Sequence, residues 1–151
     1  MLTREHMARR AACEIGDGER AFFGPGLPQA VKALVPRSDA AEGPYDLAFV
    51  EAQHVAANGT LTLPSGVVLP NAARIVALIS HTLDDGAPRI LAKPDNAGVQ
   101  AHRLISDRAV IDIRSEGLIL RELESGLSAA DVQALTAAPL LAEANLAVIA
   151  V

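Results

Sequence analysis

The sequence predicts an α/β domain: one open, mostly parallel sheet with helices on both faces, spanning residues 1–151 as a single unit. Two observations carry that expectation. Strand-like and helix-like patterns alternate along the chain, which argues for a layered α/β sheet. The segment Arg74 to Ser80 (RIVALIS) is apolar on both faces, as a parallel strand covered on both sides is.

The first helix is expected over residues 2–15. Leu2, Met7, Ala8, Ala11, Ala12 and Ile15 form an apolar stripe, Thr3 can cap it, and Gly16 can stop it. Glu5 and Arg9 stand four apart and support it by about 0.3 kcal/mol. Cys13 falls on the apolar side and is expected in the core. Asp17-Gly18 is a turn signal, and ERAFF after it reads as a strand. Gly24-Pro25-Gly26 then leads into a short helix marked by Ala30, Val31 and Leu34, with Pro28 in its first turn, where a missing amide costs nothing.

Residues 37–44 are a polar loop, and Tyr45 to Ala52 resumes as a strand. Asn58-Gly59, between HVAA and TLTL, predicts a hairpin. After the strand from Arg74, the stretch to Leu91 holds a polar turn ending in Pro88 and a second short strand. Val110, Ile111 and Ile113 belong to another strand, and Leu118 to Leu123 to one more. Ser128, with Asp131 three residues on, caps a helix over SAADVQALTAA. The last stretch, from Leu140, reads equally as a helix end or a strand.

Composition excludes several classes. Hydrophobic residues make up 50% of the chain, yet no apolar run reaches the ~18 residues of a membrane span. The charged opening residues lack the apolar stretch of a secretory signal. A net charge of −5 with interspersed signs, and only 3% aromatics, leave no footprint for nucleic acid. The single Cys13 excludes an internal disulfide framework and fits a cytoplasmic location. No His, Cys or carboxylate pair has metal-ligand spacing, so no metal site is expected.

Taken together, several segments resemble the B subunit of family I coenzyme A transferases, the group that includes the 3-oxoacid CoA-transferases. Residues 74–91 and 105–123 follow the family pattern of a strand ending in His, Asp-Gly-x-Pro-Lys-Ile-Leu, Ile-Thr-Asp-x-Ala-Val-Phe and Gly-Leu-x-Leu-x-Glu-Leu. Residues 2–31 are similar to the family's opening helix, strand and Gly-Ile-Gly-Ile-Pro turn. Residues 45–59 and 125–140 resemble further family segments, in family order. The resemblance implies the transferase α/β fold and CoA or acyl-CoA as substrate, with no covalently bound cofactor. It also implies an A-type subunit as partner, with self-association as the other arrangement.

Two pieces of the family pattern are missing. The nucleophilic glutamate of family members lies in a Ser-Glu-Asn-Gly motif, where it attacks the thioester and forms a covalent intermediate. Here Val35-Pro36 runs through RSDAAEGP directly into YDLAF, without that motif. The glycine-rich Gly-x-Gly-Gly-Ala-x-Asp stretch, whose amides can stabilise a developing negative charge, is replaced by SGVVLPNA. Two carboxylates could stand in. Glu42 lies where a shortened nucleophile loop would pass, and reads otherwise as a solvated loop acid. Glu51 ends a predicted strand, where open α/β sheets gather their ligands, and otherwise faces water at the sheet rim.

Gly24 and Gly26 could approach a phosphate of the substrate through their amides, or simply form a tight turn. His81 reads as a strand-end residue bonded to a loop rather than a general base, and His54 and His102 lack partner spacing. The expectation is a B-subunit-like chain that does not transfer CoA by itself and serves a partner. The alternative is an active CoA transferase or acyl-CoA hydrolase with a relocated carboxylate.

Overall fold

The computed structural model describes residues 1–35 and 43–150. Its elements run α1 (Arg4–Ala12), β1 (Ala21–Phe23), α2 (Leu27–Leu34), β2 (Tyr45–Glu51), β3 (His54–Val55), β4 (Leu61–Thr62), β5 (Ala72–Ile79), β6 (Arg103–Ser106), β7 (Ala109–Arg114), β8 (Gly117–Leu123), α3 (Ala129–Ala134) and β9 (Leu140–Val148). Seven strands make one sheet in the order β1-β2-β5-β6-β7-β8-β9. The β1–β2, β2–β5, β5–β6 and β8–β9 pairs are parallel, and β6–β7 and β7–β8 are antiparallel. The sheet is therefore mostly parallel, as expected.

Side-chain alternation on β5 divides the core in two. Val76 and Leu78 face α1 and α2, packing with Met7, Ala11, Val31 and Phe49. Ile75, Ala77 and Ile79 face the opposite layer, with Val55, Leu61, Ile90 and Val132. Each large aliphatic buried this way contributes about 2 kcal/mol of transfer free energy. Helices do cover both faces, but unequally. Among the described residues the second face carries only the short α3, beside the β3–β4 hairpin and the loops around it.

Local signals explain most boundaries. Thr3 Oγ1 accepts a hydrogen bond from the His6 amide at 3.1 Å, and Glu5 pairs with Arg9. Ser128 and Asp131 form a reciprocal capping box on α3. The hairpin forms around Gly59, whose φ of 86° suits glycine and whose missing side chain leaves room for Ile113.

Three expectations are corrected. Cys13 is exposed rather than buried. Helix α1 ends at Ala12, and residue 13 lies about 200° round the axis from the buried Ala11. The segment 89–91 forms only an isolated bridge, Val55 with Ile90, because its other backbone groups serve loops. Strand β6 was not expected; its Leu104-Ile105 pair is too short a run to stand out. The ambiguous last stretch is a strand, β9, paired with β8. Among the described residues no helix is long and apolar enough to cross a membrane.

Candidate functional site

The carboxyl ends of β1 and β2 and the start of α2 meet at one edge of the sheet, and there the structure brings Glu51, Gly24 and Gly26 together. Strand β1 stops at Gly24, whose amide donates to the Phe49 carbonyl at 3.0 Å. A Cβ at Gly24 would sit 3.2 Å from that oxygen, a tight contact that glycine avoids. The Gln29 side-chain amide clamps the turn by donating to the Phe23 and Gly24 carbonyls at 3.1 and 3.0 Å. Gly26, the N-cap of α2, has a φ of 84° and offers no side chain to cap the helix.

Glu51 supplies the missing cap from another strand. Its Oε2 accepts from the Leu27 amide at 3.0 Å, and its Oε1 from Arg4 at 2.9 Å. A helix N-terminus has unpaired amides and a partial positive charge, so a carboxylate is favoured there. Partial burial alone would raise the Glu51 pKa. The hydrogen bonds from Arg4 and Leu27, with the charges of Arg4 and Arg89, outweigh it and hold the group below the ordinary carboxylate range. Glu51 is therefore ionised at neutral pH, with both oxygens engaged. Glu42 lies outside the described residues.

Gly26→Ala tests how tightly this corner is built. A Cβ there would lie 2.1 Å from Glu51 Oε2, and the positive φ disfavours any side chain. Backbone strain of about 1–2 kcal/mol plus loss of a cap worth about 1 kcal/mol gives an expected destabilisation of about 2–3 kcal/mol. Urea unfolding would measure it. A loss under about 0.5 kcal/mol, the range of ordinary surface changes, would show that Glu51 can leave Leu27 freely.

His81 follows β5 at the same sheet end but is fully buried. Its amide donates to Asp107 Oδ1 at 2.8 Å. Its Nδ1 lies 2.8 Å from Ser106 Oγ and its Nε2 2.7 Å from Thr136 Oγ1. The Thr136 hydroxyl donates to the Val132 carbonyl, so His81 Nε2–H donates to Thr136 and Nδ1 accepts from Ser106. Ser106 Oγ also accepts the Arg108 and Ala109 amides, leaving it poorly placed to receive a second ring proton. Burial, the largest cause, pushes the ring pKa down to about 4, against the pull of Asp107 and aided by Arg108. The ring is a neutral connector, the strand-end role expected of it. Of the other histidines, His102 bonds through Nδ1 to the Ile75 amide at 2.9 Å, far along β5 from Glu51.

The opposite edge of the sheet holds an ion-pair network with little trace in the sequence. Glu14 receives Arg10 at 2.8 Å, Arg74 at 3.0 Å and Arg103 at 2.9 Å. Asp112, within the mostly apolar strand β7, receives Arg103 at 2.5 Å and Arg121 at 2.8 Å. Burial would raise both carboxyl pKa values, but the arginines more than compensate and both lie below the usual range. The one legible hint was the four-residue spacing of Arg10 and Glu14. Among the described residues no three His, Cys, Asp or Glu side chains gather as metal ligands would.

The sheet order, with α1 and α2 on one face and a glycine turn leading into the Glu51-capped α2 at the carboxyl end of β2, defines a layered α/β chain. Its particular architecture is a family I CoA-transferase-like fold. The solved structures with this architecture include an acyl-CoA transferase (YdiF) from Escherichia coli O157:H7 in a thioester complex with CoA, at a TM-score of 0.78 and 14% identity. That match covers 99% of this chain but 43% of the transferase, so this chain spans less than half of it. The decarboxylase AibA/AibB superposes with a TM-score of 0.71 at 17% identity, covering 100% of this chain and 90% of the other. Glutaconate coenzyme A-transferase from Acidaminococcus fermentans gives 0.63 at 14%, covering 97% and 88%. At such identities the likeness is one of fold, and one fold hosts more than one chemistry. No protein-family model matches the chain.

Proposed function

We propose that the chain is a CoA-transferase B-subunit-like protein, impaired in catalysis and acting as a partner subunit to an A-type chain in the cytoplasm. The observation that supports it best is the state of Glu51. A nucleophilic carboxylate attacks best when its charge is uncompensated, whereas Glu51 caps α2 with one oxygen and holds Arg4 with the other, contacts that lower its basicity. The missing Ser-Glu-Asn-Gly motif points the same way. The partner reading draws on length: the E. coli acyl-CoA transferase is more than twice as long as the part this chain matches.

Acyl-CoA and hydroxylamine would be incubated with the full chain, alone and with an A-type subunit. The expected result is no glutamyl hydroxamate on any residue of this chain, read by peptide mass spectrometry. A hydroxamate on one of its glutamates would overturn the impaired reading.

A second reading has an observation of its own. Glu51 is ionised, stands at the carboxyl edge of a parallel strand, and has Gly24 and Gly26 beside it to line the approach of acyl-CoA. On this reading the chain is an active CoA transferase or acyl-CoA hydrolase, with Glu51 released from Leu27 when substrate arrives. Glu51→Gln would then abolish turnover, and unchanged turnover would exclude Glu51.

A further inference from the structure

At the sheet edge opposite Glu51, Arg74, His102, Arg103, Asp112, Ile113 and Arg114 line a cleft of about 290 Å³. Arg74 lies near the start of β5, whereas Glu51 pairs with Leu78 near its end, four residues on and roughly 13 Å away along the strand. This cleft is therefore separate from the site proposed above and does not depend on that reading.

The acids here sit low and the guanidiniums sit high. The side chains of Glu14 and Asp112 are 5% and 9% exposed, while those of Arg74 and Arg114 are 38% and 55% exposed. Arg103 is held by Asp112 and Glu14, to which each of its three nitrogens donates one hydrogen bond. Arg74 engages Glu14 through Nη2 alone. Arg114 reaches Asp112 only at 3.9 Å, beyond hydrogen-bond range, and its charge also acts on the exposed Glu116. His102 Nδ1 accepts the Ile75 amide, so the ring proton is on Nε2, a donor on an exposed side chain.

Three lining arginines face one lining carboxylate on a protein whose net charge is −5. An acidic chain that keeps a basic cleft over buried counter-ions has a local field favouring anions. Guanidinium forks and an imidazole N–H suit a compact oxyanion with several acceptors better than a single carboxylate.

We propose that this cleft binds a phosphate dianion through Arg74, Arg114 and the Nε2–H of His102. The dianion is either free phosphate or the terminal phosphate of a nucleotide. The test is a titration of the full ¹⁵N-labelled chain, followed by NMR, with inorganic phosphate in one arm and adenosine 3′,5′-bisphosphate in the other. Sodium chloride at matched ionic strength is the control. The expected result is saturable shifts confined to the His102 ring and the amides around Arg74, Arg103 and Arg114. Tighter binding of the bisphosphate would identify a nucleotide, and equal or weaker binding would identify free phosphate.

Arg114→Gln, which alters only an exposed side chain, should weaken the binding about tenfold or more, as loss of a charge-assisted hydrogen bond does. The proposal is overturned if neither ligand shifts these resonances beyond the chloride control. It is equally overturned if Arg114→Gln, with an otherwise native spectrum, binds as tightly as the parent.

Discussion

Glu14→Ala is expected to destabilise the chain by about 3 kcal/mol, a large share of the 5–15 kcal/mol typical of a domain. Three guanidiniums converge on this one carboxylate, whose side chain is 5% exposed. Removing one partner of a buried ion pair costs about 3–5 kcal/mol, because the remaining charge is left desolvated and unpaired. The low end applies, since Arg10 keeps Glu122 and Arg103 keeps Asp112, and Arg74, which loses its carboxylate, is 38% exposed and keeps the backbone carbonyl of residue 14. Urea unfolding should show a lower midpoint at unchanged slope. Because the network is mostly shielded from solvent, the loss should persist at high salt. A loss below about 1 kcal/mol would mean that these pairs behave like surface ion pairs, whose median worth is no greater.

The second large effect is a dependence on pH. In the unfolded chain His81 takes up its proton near its ordinary value of 6.5, but in the folded chain only near 4. Between those values the unfolded state binds more protons, so stability falls as pH drops from 6.5 to 4. Above 6.5 the contribution is complete. With about 1.4 kcal/mol per pKa unit, about 3 kcal/mol is at stake. Glu14, Glu51 and Asp112 have depressed pKa values and lose their contributions at lower pH, so the window from about 6 to 5 belongs mainly to His81. Unfolding free energies measured across that window should slope downward in the parent and flatten in His81→Asn. An equal slope in both proteins would remove His81 from the account.

The fold was legible where its causes are local. Residues 75–79 are apolar at every position because β5 lies between two cores, and that shows in the sequence without any knowledge of neighbours. The Asn58-Gly59 turn and the Ser128–Asp131 cap are likewise complete within a few residues. Features failed to show where their partners are remote. Glu51 finds Leu27 and Arg4 across 24 and 47 residues, so its position at a strand end was readable but its role as a helix cap was not. Glu14 and Arg103 meet across 89 residues, and Asp112 would pass for an edge acid until Arg103 and Arg121 are seen beside it. Cys13 was misjudged for a smaller reason: the helix ends at Ala12, three residues before the Ile15 that closes its apolar stripe.

The fastenings of α1 also bear on the order in which the chain can fold. Leu2 bonds to the Asp107 carbonyl, and Arg10 clasps Glu122 at 2.5 Å across 112 residues. Contacts that distant in sequence form slowly, because a long loop must close before they yield any energy. Helix α1 can pack on α2, β2 and β5 once those are made, but these distant fastenings wait for Asp107 and β8. Until then Met7, Ala8 and Ala11 can be covered by Val31, Phe49, Val76 and Leu78, while Leu2 and Arg10 lack their distant partners. Helix α1 thus packs before it is fastened, and its two longest-range ties form only when the far part of the sheet is in place.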